Sequence, residues 1–139
     1  MRILRGWFAW TLLAGGVYLS IGLGFARLTY PSIFFWRYAA WIVSAVVYGT
    51  HLGYEHFRLR STPHAASMHV ALGAAIGAFG LAVAAVVHSL ATGTGNVRLL
   101  RFALLVWPLI TGVLAYLVGL VLTVVLARVP WGRSATPGP

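Results

Sequence analysis

Four long stretches of this chain carry almost no charge, and nothing else in the sequence constrains its fold as tightly. Between Arg5 and Arg27 lie about 21 uncharged residues, the length a helix needs to cross a bilayer. Tyr38 to Tyr54 is a second run, extendable backwards through Phe34, Phe35 and Trp36. A third lies within the uncharged stretch Ser61–Val97, its helix starting near Ala65, after Pro63, and ending near Thr92. Phe102 to Ala127 is the fourth. The breaks carry turn chemistry: Thr29-Tyr30-Pro31-Ser32, Ser61-Thr62-Pro63, and Thr92-Gly93-Thr94-Gly95-Asn96. The pattern predicts helices over about 4–26, 34–57, 65–92 and 100–127, with an irregular tail over 130–139.

Composition says what solvent these helices need. The chain of 139 residues is 60% hydrophobic and 8% charged, where a soluble domain carries about a quarter charged residues. One soluble core could not keep that much apolar surface from water. The expected fold is therefore all-α: an integral membrane protein, a four-transmembrane-helix up-down-up-down bundle forming a single domain. The first segment has Arg2 and Arg5 ahead of an apolar core, as a signal peptide would. Its core is too long and lacks a small-x-small cleavage site, so it is expected to stay as a helix.

The net charge of +9 arises because Glu55 is the single acidic residue, while all ten cations are arginines. They sit near the ends of apolar runs rather than on one soluble face, which argues against nucleic acid as a partner and for anionic lipid headgroups or acidic loops of other subunits. Arg2, Arg5, Arg58, Arg60, Arg128 and Arg133 fall on one side; Arg27, Arg37, Arg98 and Arg101 fall on the other. That bias places both termini in the cytoplasm, with a bacterial inner membrane as the expected location. Trp7, Trp10, Trp36, Trp41 and Trp131 lie near span ends, as interfacial anchors do, and Trp107 lies deeper. With no cysteine, disulfides and thiolate metal sites are excluded.

Helices in lipid associate through close packing at small residues. The first helix offers Gly16, Ser20 and Gly24 at spacing four; the third offers Gly73 and Gly77, with Ala74 and Ala78 beside them; Gly112 and Gly119 lie a heptad apart in the fourth. These read first as seams within the bundle, and alternatively as a seam to another subunit or clearance for a flat cofactor. Pro108 either kinks the fourth helix or sits in its first turns.

The chemistry concentrates in the second hairpin. Four of the five histidines and the only carboxylate fall between His51 and His69. On a helix, Tyr48, His51, Glu55 and Arg58 form one polar stripe. A structural reading has Tyr48, His51, Glu55, Arg58 and Arg60 pin the hairpin at the interface, with Glu55 paired to an arginine. A metal reading uses His51, Glu55 and His69, with His56 as a further ligand, for zinc or iron. A third reading has His51, His69 or His88 hold haem b or a chlorophyll-type pigment. A chain with no cofactor is also compatible with the sequence. Adjacent helices about 8–10 Å apart are too close for haem between His51 and His69, and His88 lies about 28 Å from His69 along one helix.

In size and helix number the chain resembles small multidrug-resistance transporters. Those carry a glutamate within the first helix, and here that helix has no acid. No Ser/His/Asp set, phosphate-binding loop or CxxC is present, so an enzyme is the less favoured reading. The leading expectation is an accessory or structural subunit of a larger energy-transducing membrane complex, respiratory or photosynthetic, with other membrane subunits as partners. The alternatives are a haem-, pigment- or metal-binding redox protein, and a small transporter or membrane enzyme centred on His51, Glu55 and His69.

Overall fold

The computed structural model describes residues 2–28 and 32–128, with side chains from residue 6 onward. The tail over 130–139, with Trp131 and Arg133, lies outside the described residues, as do the side chains of Arg2 and Arg5. Four helices form, as the sequence predicts: α1 (Arg2–Ala26), α2 (Ile33–Phe57), α3 (Pro63–Thr92) and α4 (Val97–Arg128). All four are long and apolar enough to cross a membrane. At 1.5 Å per residue the 32 residues of α4 span about 48 Å, so its ends extend past a hydrocarbon core of about 30 Å. The helix runs on through Pro108.

The helix starts follow capping chemistry. Ser32 accepts from the Phe34 amide at the start of α2. Thr62 accepts from the Ala65 amide and Pro63 takes the first turn of α3, so that helix begins two residues earlier than the apolar run suggests. Asn96 Oδ1 takes the amides of both Arg98 and Leu99, which draws the start of α4 back to Val97. Gly93 ends α3 at φ 66°, a conformation that glycine adopts without steric cost.

The helices are not equivalent in the bundle. α3 packs along both α4 and α1, whereas α1 and α4 share no contact among the described residues. α2 leans mainly on α1 and touches α3 and α4 lightly. Accordingly α3 buries small residues along its length, among them Ala66, Ser67, Ala71, Gly73, Gly77, Ala78 and Ala82. The outer surface is apolar: Trp41 is 78% exposed and Phe102 66%. In water that surface would drive aggregation; in a bilayer it meets lipid.

The α1–α3 seam corrects one sequence expectation. Gly16, Ser20 and Gly24 face outward, and a Cβ added at Gly16 or Gly24 would meet nothing within 4 Å. The seam runs instead through Thr11, Ala14, Gly15, Tyr18 and Gly22. A Cβ on Gly15 would lie 2.7 Å from Ile76, and one on Gly22 would lie 2.5 Å from Leu81. The physical reason is period. Spacings of three and four alternate along the buried face, keeping it aimed at one neighbour, whereas steps of four alone drift around the helix. Gly73 and Gly77 sit on the α3 side of this seam, against Thr11, Ala14, Gly15 and Tyr18.

Candidate functional site

One end of the bundle gathers the start of α1, the end of α2, the start of α3 and the end of α4. Trp7 of α1 stacks on His69 of α3, ring centroids 4.3 Å apart and planes 9° apart. Trp10 lies 4.6 Å from Tyr54 of α2. His64 of α3 meets the Tyr116 hydroxyl of α4 at 2.9 Å. Tyr48 of α2 donates to the Ala115 carbonyl of α4 at 2.5 Å. A small core of Leu52, Ala66 and Val70, with Tyr48 and Leu126 against it, supports this end.

Glu55 is the centre of the cluster and is fully buried. The chain around it explains how a carboxylate is held there. α2 ends at Phe57, and the amides of Arg58 and Leu59 both return to the Tyr54 carbonyl. Arg60 then adopts φ 50°, which folds the chain back over the last turn. Ser61 lands on Glu55 twice, its amide on the backbone carbonyl and its hydroxyl on Oε2 at 2.7 Å. His69 Nδ1 lies 3.0 Å from the same Oε2, an ion-pair distance at which the nitrogen is not aligned for a hydrogen bond. The opposite oxygen, Oε1, faces His51 Nε2 at 3.9 Å, one turn deeper on the same helix. Among the described residues Oε1 and both His51 nitrogens have no hydrogen-bond partner.

The structure thus brings His51, Glu55 and His69 together and leaves out other residues of the expected cluster. Arg58 and Arg60 are exposed, and among the described residues Glu55 has histidine partners, not arginine ones. Arg58 caps α2 in a helical conformation with its amide on the Tyr54 carbonyl, but its side chain stays exposed, where a guanidinium keeps its hydration. Tyr48 turns to α4 rather than to Glu55. His56 packs edge-on against Phe57, with centroids 4.9 Å apart. His88 is exposed and lies toward the far end of α3.

These positions bear on the cofactor readings. His51 and His69 address different oxygens of one carboxylate, so a haem or pigment does not fit between them, and His88 joins neither. Among the described residues no group of three His, Cys, Asp or Glu side chains is arranged to hold a metal ion. The histidines converge on Glu55 itself rather than on a shared point in space.

What the geometry can do is hold and pass protons. An imidazole accepts at one nitrogen while donating from the other. The two histidines also differ in access: the His69 side chain is 17% exposed, the His51 side chain 3%. Glu55 lies between a wetter and a drier imidazole. Sequence reasoning missed Ser61, Trp7 and Thr11 as neighbours of this centre. Ser61 could have been found as a hydroxyl six residues past the only acid, at a turn. Thr11 and Tyr18, a heptad apart on α1, mark the buried face that the glycine spacing obscured.

Comparison with known protein families, with curated proteins and with solved structures gives no match. The chain is a small polytopic membrane protein, and its chemistry rests on the geometry of this end of the bundle.

Proposed function

We propose that this protein is a proton-handling membrane component, of the small-transporter class, whose working centre is His51, Glu55 and His69. The observation that carries the reading is the fully buried Glu55 carboxylate, with one oxygen toward a partly exposed histidine and the other toward a buried one. Burying an ionised carboxylate costs several kcal/mol unless partners offset it, and ionisable groups inside membrane spans are rare and mark proton and ion pathways. A proton arriving from the aqueous side reaches His69 first. It moves to Glu55 and can leave toward His51, each nitrogen or oxygen gaining one proton as its neighbour loses one. No other carboxylate side chain exists in the chain to compete. Placing this end at the cytoplasmic face follows from the arginine bias and belongs to the same proposal; reporter fusions at each terminus test it.

The test is proton flux into vesicles that carry the protein, driven by a pH gradient and read with an entrapped pH-sensitive dye. Glu55→Gln and His69→Ala are each expected to lower the flux at least tenfold in protein that still inserts and stays monodisperse. Flux no greater than in protein-free vesicles, or unaltered by both variants, would sink the reading.

A second reading, an accessory subunit of a larger energy-transducing complex, has its own support. The outward Gly16–Ser20–Gly24 face of α1 has open space over both glycines, and small-residue faces are where membrane helices approach closely. Extraction from native membranes in mild detergent distinguishes the two. A lone monodisperse monomer argues against a complex.

A further inference from the structure

We infer that a file of internal water leads from His51 inward along the α1–α3 seam, past Thr11, to Tyr18 in the middle of α1. This deepens the proton reading of the same site, giving its drier side a route into the bundle.

The first support is a run of buried polar atoms without partners. Among the described residues Thr11 Oγ1, Tyr18 Oη, both His51 nitrogens and Glu55 Oε1 make no hydrogen bond to protein. Thr11 is 2% exposed and His51 4%. Such groups in native proteins are met by ordered water where the protein does not serve them.

The second is that Thr11 forgoes an easy alternative. The hydroxyls of Ser20, Thr50, Ser67, Thr92 and Thr123 all donate to the carbonyl four residues back on their own helices. That bond is available to any helical Ser or Thr. Thr11 does not make it, so its hydroxyl is free to serve another group.

The third is order along the seam. His69, Gly73 and Gly77 follow at one-turn steps on one face of α3. His69 meets Glu55. Gly73 sits between Thr11 and His51: a Cβ there would lie 3.3 Å from the Thr11 carbonyl oxygen and 3.6 Å from His51 Cε1. Gly77 faces Tyr18. The unpartnered groups therefore follow one another inward from the bundle end, beside two glycines at which α3 comes close to α1. Thr11 and Tyr18 are about 10 Å apart along the axis. The lean of helical side chains toward their N-terminus carries the Tyr18 phenol back toward Thr11. A few waters, each about 2.8 Å from the next, close that distance. Tyr48 is already served by the Ala115 carbonyl and takes no part in the file.

The experiment is water-to-protein magnetisation transfer by solid-state NMR on the full chain in phosphatidylcholine–phosphatidylglycerol vesicles. Thr11, His51 and Tyr18 are expected to receive water magnetisation severalfold faster than lipid-facing Val121. Gly73→Ala is expected to slow transfer to Tyr18 while leaving His69 unchanged, and Thr11→Val is expected to do the same. Transfer to Tyr18 no faster than to Val121, or unaltered by both variants, would overturn the file. The two proposals fail separately. A dry Tyr18 in a protein whose proton flux depends on Glu55 removes the file alone. A wet Tyr18 in a protein that passes no protons, or passes them without regard to Glu55, removes the proton reading.

Discussion

The two ends of the bundle are both polar, but they use polarity differently. At the Glu55 end, polar and aromatic groups bond or stack between helices: Trp7 with His69, Trp10 with Tyr54, His64 with Tyr116, Tyr48 with Ala115. At the opposite end the polar bonds are local. Thr92 donates to the His88 carbonyl, Ser89 to the Thr94 carbonyl, and Asn96 caps its own helix. There Arg37 lies over Phe34, three residues away, at 6.0 Å. A cleft of about 250 Å³ remains between α1 and α2, lined in part by Gly22, Trp36, Arg37 and Ala40. The far end has a ring contact between helices, Phe25 of α1 with Trp36 of α2 at 5.8 Å, but the hydrogen bonds just named stay within a helix or its adjoining turn. Function that needs fixed geometry belongs at the Glu55 end.

The strongest way to break that comparison is to remove the carboxylate. Glu55→Ala takes the shared partner from His51, Ser61 and His69 and is expected to destabilise the protein by about 3–5 kcal/mol in reversible unfolding from bicelles. His88→Ala, at the other end, is expected to change stability by less than about 0.5 kcal/mol. Equal losses from the two would erase the distinction.

A smaller effect sharpens it along α1. Gly77→Val drives side-chain atoms into Tyr18, whose Cβ already lies 2.5 Å from an added Cβ; about 1–3 kcal/mol is expected. Gly16→Val, on the outward face, is expected to leave monomer stability unchanged within about 0.5 kcal/mol. If Gly16→Val instead alters migration in mild detergent, the outer face is engaged by another chain.

Single hydrogen bonds give the smallest expected differences. Tyr48→Phe removes the α2–α4 bond and is expected to cost about 1–1.5 kcal/mol, with faster amide exchange on both helices. Asn96→Ala is expected to cost about 1 kcal/mol, with exchange changes confined to the first turn of α4. Exchange that spreads to α1 or α3 from Asn96→Ala would show the far end to be coupled after all.

Much of this was legible in the sequence because lipid imposes a simple demand. Four uncharged runs of spanning length become four helices, since no other structure satisfies their backbone in hydrocarbon. The hairpin cluster was legible for a related reason: a lone acid beside histidines at i−4 and across a short turn has few places to go. Glu55's choice of partner was not legible, because it depends on where Ser61 and His69 land once Arg60 turns the chain at φ 50°. The packing face of α1 was hidden as well. Gly16 and Gly24 carry the expected spacing, yet the neighbour sees Thr11, Gly15, Tyr18 and Gly22, and only the position of α3 decides between the two faces.

The central place of α3 has a consequence for how the protein is made. Segments enter the membrane in chain order, so α1 and α2 arrive as a hairpin before the helix that both need. Until α3 follows, Glu55 lacks His69, Trp7 has no ring to stack on, and the groove of α1 at Gly15 and Gly22 faces lipid or the insertion machinery. α4 comes last and settles against α3, with no α1 contact among the described residues. Assembly is therefore gated by the third helix: the Glu55 cluster is not assembled until more than half the chain has been inserted.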